Sequence, residues 1–235
     1  MGRTAQFAFI VPLAGVCFAA QPIGILFDFG TQPESEVIDL MQSEIRDILA
    51  PAQLDISFQR LGERGASQPF KKIVIVRFLG DCQSQADSGG IQLNEPGTLD
   101  YPALGRTDID NGRVLPYVRV YCNEVRAFMP AVSRTSFPQL YGRALGRVVA
   151  HELYHALLST REHSRTGVAR VVQSARDLTR EKLALDSGSI DRLRVLYGTK
   201  ISEAQKEKED DSEEPSSNPP NSHRLIPVSH SEHQP

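Results

Sequence analysis

The sequence has no concentration of basic residues and no internal repeat. Its 26 Lys and Arg are spread along a 235-residue chain that also carries 29 Asp and Glu, for a formal net charge of −3. Because no basic helix face with interleaved aromatic residues is present, nucleic acid is excluded as an expected partner. The absence of a repeat excludes a solenoid. The length is sufficient for one globular domain with a real core.

The apolar stretch at residues 7–20 is too short to span a bilayer, which takes about 20 apolar residues. It follows Arg3 and closes on Ala19 and Ala20, an order typical of a secretory signal. Residues 1–20 are therefore predicted to be a signal peptide, and the protein to be secreted or periplasmic with no membrane span after its removal. A buried first helix or strand is the alternative, and a lipid anchor at Cys17 is left open.

Cysteine is scarce, with three residues in the chain. Removal of the signal peptide takes Cys17 with it and leaves Cys82 and Cys122. An even pair in an oxidising compartment favours a single disulfide, and each of the two cysteines closes a predicted strand. Two unpaired buried thiols are the alternative.

Hydrophobic patterns predict strands and helices in alternation. Strands are expected at residues 23–29, 54–61 and 73–79. The last is predicted to be central and covered on both faces, because it is almost continuously apolar. Apolar positions three and four residues apart predict a helix over residues 35–49, stopped by Pro51.

An Asn-Gly dipeptide at residues 111–112 predicts a hairpin between strands at 104–109 and 113–122. Because Pro116 cannot donate a ladder hydrogen bond, the well-paired part of the second strand is expected to begin at Tyr117.

The second half of the chain predicts two further helices. The longer covers residues 138–159, with Ser136 as its cap. The shorter covers residues 190–197 and ends at Gly198. Residues 201–235 are charged and polar with few large apolar side chains, so this tail is predicted to be disordered.

The sequence His-Glu-Leu-Tyr-His at residues 151–155 lies late in the predicted long helix. Because a helix turns by about 100° per residue, His151 and His155 lie on one face and can both bind one metal ion. Glu152 can reach a water on that ion without ligating it, as a general base for hydrolysis. This pattern predicts one catalytic zinc ion (Zn²⁺). Two surface histidines with an unrelated glutamate are the alternative.

A catalytic zinc site needs a third protein ligand and one open position. His163 is the predicted third ligand, on the condition that the helix ends near Ser159. On an uninterrupted helix it would lie about 12 Å further along the axis than His155, too far to share the ion. Asp177 and Glu181 are the competing ligands, and a surface position for His163 is the further alternative.

These features resemble the metzincins, zinc peptidases of the zincin group that include the matrixins. The resemblance rests on the order of elements, on the HELYH motif with a nearby third histidine, and on residues 167–169 at the place of the family's methionine turn. Residues 185–198 (LDSGSIDRLRVLYG) are similar to the terminal helix of matrixins. The chain departs from the family motif at Leu158 and Arg161, where Gly and the third His would stand, and it has no methionine after Met129.

The resemblance implies an α/β (α+β) zincin fold for a catalytic domain at residues 21–200. It consists of a twisted mixed sheet of about five strands with an antiparallel edge strand, packed on a long active-site helix, and of a smaller C-terminal helical subdomain. The resemblance also places the strands that end at Cys82 and Cys122 side by side, in support of the disulfide. The edge strand would hold an extended substrate as an added strand. Its residues are Leu104, Gly105, Arg106 and Thr107.

The prediction from the sequence is therefore an exported zinc metallopeptidase with a peptide or protein substrate. The alternative is a catalytically inactive zincin scaffold that binds an extracellular partner. The missing methionine and the displaced third histidine motivate this alternative. Glu152 argues against it, because an inactive scaffold needs no base at that position.

Overall fold

A computed structural model describes residues 21–63, 69–84, 103–130 and 133–198. The predicted signal peptide with Cys17 and the predicted polar tail at residues 201–235 lie outside the described residues. Within the described ranges, no helix is long and apolar enough to cross a membrane.

The described residues form five strands and five helices, with a 3₁₀ turn at Ala50–Ala52. In chain order they are β1 (Ile23–Phe29), α1 (Ser35–Leu49), β2 (Ile56–Arg60), β3 (Lys72–Leu79), β4 (Gly105–Asp110), β5 (Arg113–Tyr121), α2 (Cys122–Phe128), α3 (Phe137–Leu158), α4 (Ala175–Thr179) and α5 (Ser187–Tyr197). The sequence patterns miss α2 and α4, because seven and five residues are too few for a helical period to emerge.

The strands form one mixed sheet in the order β2-β1-β3-β5-β4. Neighbouring strands among β2, β1, β3 and β5 pair in parallel, and β4 pairs antiparallel with β5 at the edge. The predicted fold class is confirmed: a five-stranded mixed α/β sheet with an antiparallel edge strand, a long helix, and a helical C-terminal region. β4 is an edge strand that lies next to α3, so its side chains can contact residues of that helix.

Among the described residues, the core lies on one face of the sheet, and the side chains of the other face are partly or largely exposed. In β3 the side chains of Val74, Val76 and Phe78 are fully buried, whereas Ile73 is 43% exposed. The exposed Arg77 forms an ion pair with an aspartate of β1. The buried side chains of α1 and α3 join one core with those of the sheet. β3 is central as predicted, but its predicted coverage on both faces is wrong, because the packed helices cover one face.

The hairpin between β4 and β5 forms where the Asn-Gly dipeptide predicts it. Asn111 and Gly112 both have positive φ, 47° and 79°, as a two-residue type I′ turn requires. β5 pairs with β3 from Tyr117 onward, as predicted. Two further pairs with β4 lie next to the turn, and the register then shifts around Pro116 before regular pairing resumes.

The first turn of α3 differs from the prediction. Ser136 has a helix-like backbone, with φ −91° and ψ −12°, and its side chain caps no backbone N–H. Its hydroxyl instead accepts a hydrogen bond from Ser133. Ser136 is therefore the N-cap residue by position, as predicted, but its side chain does not cap the helix. The turn before α3 already runs into the helix, because the Phe137 N–H donates to the Ser133 carbonyl.

The two cysteines that the sequence paired are joined in a disulfide, with Cα atoms 5.0 Å apart. Cys82 follows β3, and Cys122 is the first residue of α2, directly after β5. Because β3 and β5 are neighbours in the sheet, the two chain segments leave it side by side.

Two glycines let α3 lie close against α1. A Cβ at Gly142 would lie 2.9 Å from the carbonyl oxygen of Val37, and one at Gly146 would lie 2.8 Å from that of Met41. Both obstacles are backbone atoms, which cannot move unless α1 shifts. This close contact fixes α3 a little more than one turn before the HELYH motif.

Replacement of Gly146 by alanine should therefore destabilise the protein. Overpacking costs about 1–3 kcal/mol, which exceeds the ~1 kcal/mol that alanine normally gains over glycine in a helix. Gly188→Ala in α5 is the matched control, because its Cβ would meet only the Asp186 carboxylate, at 3.3 Å. Chemical denaturation should show a lower free energy of unfolding for Gly146→Ala alone. Equal stability of the two variants would contradict the close packing.

A buried arginine ties α3 to its neighbours. The side chain of Arg147 is fully buried, and its Nε donates to the Glu44 carboxylate of α1 at 2.6 Å. Its guanidinium also donates to the main-chain carbonyls of Asp177 and Glu181. The segment around α4 is thereby held against α3 through its backbone.

Candidate metal centre

The chain reverses direction within one helical turn after the second histidine of the HELYH motif. α3 ends at Leu158, and Ser159 adopts the left-handed conformation, with φ 49°. The Thr160 N–H donates to the His155 carbonyl and closes the helix end. The helix therefore ends where the third-ligand prediction requires it, and the chain returns with His163 against His155, ring centroids 4.6 Å apart.

Three imidazole nitrogens converge at this helix end. The Nε2 of His155 lies 3.2 Å from the Nε2 of His151 and 3.2 Å from the Nε2 of His163. One ligand atom of each ring lies within 4.8 Å of the others. Two nitrogens bound to one tetrahedral zinc ion lie about 3.3 Å apart. The spacing of the three rings therefore fits a single metal ion.

The other ring nitrogens of the two helical histidines hold the rings in place. His151 Nδ1 lies 2.8 Å from the carbonyl oxygen of Val168, and His155 Nδ1 lies 2.9 Å from that of Thr160. Because a carbonyl oxygen only accepts, each Nδ1 carries the proton and donates it. The unprotonated Nε2 of each ring is then free to bind a metal ion, as in many metal sites where backbone groups orient the histidines.

The surroundings of the three rings favour their neutral form, although the rings differ in exposure: His155 is buried, His151 is half-buried and His163 is exposed. Desolvation lowers the pKa of His151 to about 4 and also lowers the pKa of His155 and of His163. A metal ligand must be neutral imidazole, so the protein has few protons to displace from these rings on metal binding at neutral pH.

Glu152 is buried beside the three rings, with 6% of its surface exposed. Its Oε2 accepts a hydrogen bond from the Thr107 hydroxyl at 2.7 Å. Burial raises the pKa of Glu152 to about 7, and the Thr107 bonds oppose this rise. A carboxyl group with a pKa near neutrality can both accept and return a proton at physiological pH.

The competing third ligands lie elsewhere. The Asp177 carboxylate forms ion pairs with Arg170 and Arg180 and takes part in a capping box with Ser174 at the start of α4. Burial acts to raise its pKa, but the Ser174 hydrogen bonds and the two arginines hold it below the usual value. Glu181 is exposed. Among the described residues, the group that could hold a metal ion is the three histidines, without either carboxylate.

The segment that resembles the methionine turn lies beneath the histidines without a methionine. Val168 and Ala169 are fully buried, and the Val168 carbonyl that holds His151 also accepts from Gln173 Nε2 at 2.6 Å. Gly167 has φ 72°, and a Cβ there would lie 2.2 Å from the Ala184 carbonyl oxygen. Only glycine fits at position 167. The backbone of this segment, and not a methionine side chain, therefore supports the histidines.

The site opens into a cavity of about 830 Å³. The predicted edge-strand residues line one wall: Leu104, Gly105, Arg106 and Thr107. Val171 and Val172 line it too, and they are 67% and 62% exposed. The cavity therefore combines the metal-binding groups with a strand edge and with apolar surface.

Sequence patterns did not reveal the partners of the site residues. Thr107 was expected only as part of the substrate edge, and Val168 only as part of the segment at the place of the methionine turn. Neither Thr160 nor Val168 was expected to hold a histidine, and Gln173 was not singled out. Two of these act through main-chain carbonyls, which give no signal in a sequence. Thr107 acts across 45 positions of chain, and only the fold brings it to Glu152.

No protein-family model and no curated protein matches this chain. A solved structure of archaemetzincin from Methanopyrus kandleri is similar to it, with 14% sequence identity and a TM-score of 0.44. The similarity covers 79% of this chain and 98% of that chain. It does not bear on the matrixin-like branch that residues 185–198 suggested.

Proposed function

We propose that this protein is an exported zinc-dependent metallopeptidase. The observation that carries the proposal is the convergence of the Nε2 atoms of His151, His155 and His163 beside the buried carboxyl group of Glu152. Three neutral imidazoles are the ligand set of a catalytic zinc ion with one open position. When bound there, zinc would lower the pKa of a water molecule and polarise the carbonyl of the scissile bond.

Glu152 is the general base in this proposal. Its Oε2 accepts the hydrogen bond of the Thr107 hydroxyl. The other oxygen, Oε1, takes the proton from the attacking water in this proposal. The same carboxyl group then returns the proton to the leaving amine.

The edge of β4 that faces away from β5 is the proposed substrate site. Among the described strands, β4 pairs with β5 alone, and it lines the cavity that contains the histidines. An extended peptide can pair with such an edge through its main chain, which requires no particular side-chain sequence. The substrate class is therefore a peptide or an unfolded protein segment.

Export is part of the proposal and rests on two observations. The first is the leader-like order of residues 1–20. The second is the disulfide between Cys82 and Cys122, a bond that persists in oxidising compartments.

Metal analysis beside a digestion assay tests the proposal. The protein purified from the exported fraction should contain one zinc ion per chain and should cleave an unfolded protein substrate. A chelator should remove both the metal and the activity, and added zinc should restore them. Stoichiometric zinc without turnover on a broad peptide library would instead favour the inactive binding scaffold. Hydrolysis that persists after the metal is removed would refute a zinc mechanism.

A further inference from the structure

The edge strand faces the general base as well as the cavity. Gly105 and Thr107 occupy alternate positions of β4, and both lie against α3 at Glu152. Thr107 is 7% exposed, so this contact is almost free of solvent. Hydrogen bonds of this kind are stronger where water is excluded.

The Thr107 hydroxyl donates its one proton to the Glu152 carboxylate and lies close to the main-chain oxygen of that residue. Its Oγ1 lies 2.7 Å from Oε2 and 3.1 Å from the main-chain oxygen of the same residue. The single hydroxyl proton has a closer and more strongly accepting partner in the carboxylate. Because the hydroxyl is fixed on β4 and donates to Oε2, it restrains the side-chain torsions of Glu152. A glutamate without this contact would sample several rotamers at the same backbone position.

Gly105 leaves the space that this rotamer needs. A Cβ at position 105 would lie 3.0 Å from the Cγ and from the Oε1 of Glu152, and 2.8 Å from a methyl carbon of Val148. Any larger residue would therefore press on Oε1, the carboxylate oxygen that the Thr107 hydroxyl does not contact. The register shift of the hairpin follows directly after Thr107, so regular pairing of β4 extends up to this contact.

We infer that Thr107, with the space left by Gly105, positions the general base: the hydroxyl fixes one carboxylate oxygen of Glu152 and so aims the other at the site of reaction. This inference rests on the proposed peptidase function. It assigns β4 two roles, because the strand whose edge would hold the substrate also sets the base. One strand would then set the position of both the scissile bond and the general base.

Three substitutions at Thr107 test the inference. Thr107→Val removes the hydroxyl and keeps the shape, and Thr107→Ser keeps the hydroxyl. We expect Thr107→Val to lower kcat by about 10–100-fold, the usual effect of losing a residue that orients a site group. KM and the zinc content should stay close to those of the unmodified protein. Thr107→Ser should retain most of kcat. If Thr107→Val does not fold, Thr107→Cys replaces it, and its weak S–H donor should give an intermediate kcat.

Two results would overturn the inference. One is an unchanged kcat in Thr107→Val. The other is an equal loss of kcat in the Val and Ser variants, which would mean that packing matters and the hydroxyl does not. Absence of hydrolysis by the unmodified protein would refute the proposed function instead.

A measurement without catalysis examines the same contact. The effects of Thr107→Val and Glu152→Ala on unfolding of the metal-free protein should be non-additive, as for residues in direct contact. Alanine is used at position 152 because glutamine would still accept the Thr107 hydrogen bond. Strict additivity would mean that the hydrogen bond contributes nothing and would also overturn the inference.

Discussion

Glu152→Gln should abolish hydrolysis and leave the zinc ion bound. Glutamine has nearly the same size and can still accept the Thr107 hydrogen bond, but its amide cannot take a proton from water. Loss of a general base lowers the rate by about 10²–10⁴-fold. The measurement is kcat on a peptide substrate together with the zinc content of the same sample.

Glu162→Gln is the matched control for this experiment. Glu162 is an exposed glutamate ten positions further along, next to His163. Glu162→Gln also replaces a carboxylate by an amide near the proposed metal ion, but it leaves the buried carboxyl group of Glu152 in place. Activity should therefore be retained. Full activity of Glu152→Gln would refute its role as the base. An equal loss in both variants would point to a general effect of charge.

His163→Ala should reduce zinc affinity by more than about 100-fold, because even residues that only orient ligands contribute about 10–100-fold. The structure explains why this histidine is decisive. Its Nε2 lies 3.2 Å from that of His155, while the competing carboxylate of Asp177 is already paired with two arginines. The affinity is measured by competition with a chelator of known strength.

Glu181→Ala and Asp177→Ala provide the comparison for His163→Ala. Glu181 is exposed, and its substitution should leave the zinc affinity unchanged. Asp177→Ala removes ion pairs and a helix cap, so it should lower stability more than zinc affinity. A loss of affinity in either variant as large as that in His163→Ala would transfer the third-ligand role to that carboxylate.

The sequence was informative where geometry is local. Histidines four positions apart on a helix lie on one face whatever the rest of the fold, so the arrangement of His151, Glu152 and His155 could be derived from spacing alone. The Asn-Gly turn likewise follows from two residues whose backbone preferences match one turn type. The order of strands and helices came from hydrophobic periods, and it implied the edge position of β4 through the family resemblance.

The sequence was less informative where the outcome depends on distant contacts. Ser159 permits a left-handed helix end but does not require it, so the return of His163 could be stated only as a condition. The ion pairs that occupy Asp177 are tertiary and have no sequence signature. The apolar run of β3 could not reveal whether helices cover one face of the sheet or two. The role of Thr107 toward Glu152 depends on the register of β4 against α3.

The helical histidines are held by main-chain carbonyls, at Val168 and Thr160. A carbonyl group presents the same oxygen whatever side chain its residue bears. Mutations in these two loops can therefore accumulate without changing the donors around the metal, provided that the path of the backbone is kept. The convergence of the three imidazoles therefore depends on the course of two loops more than on the side chains that these loops carry.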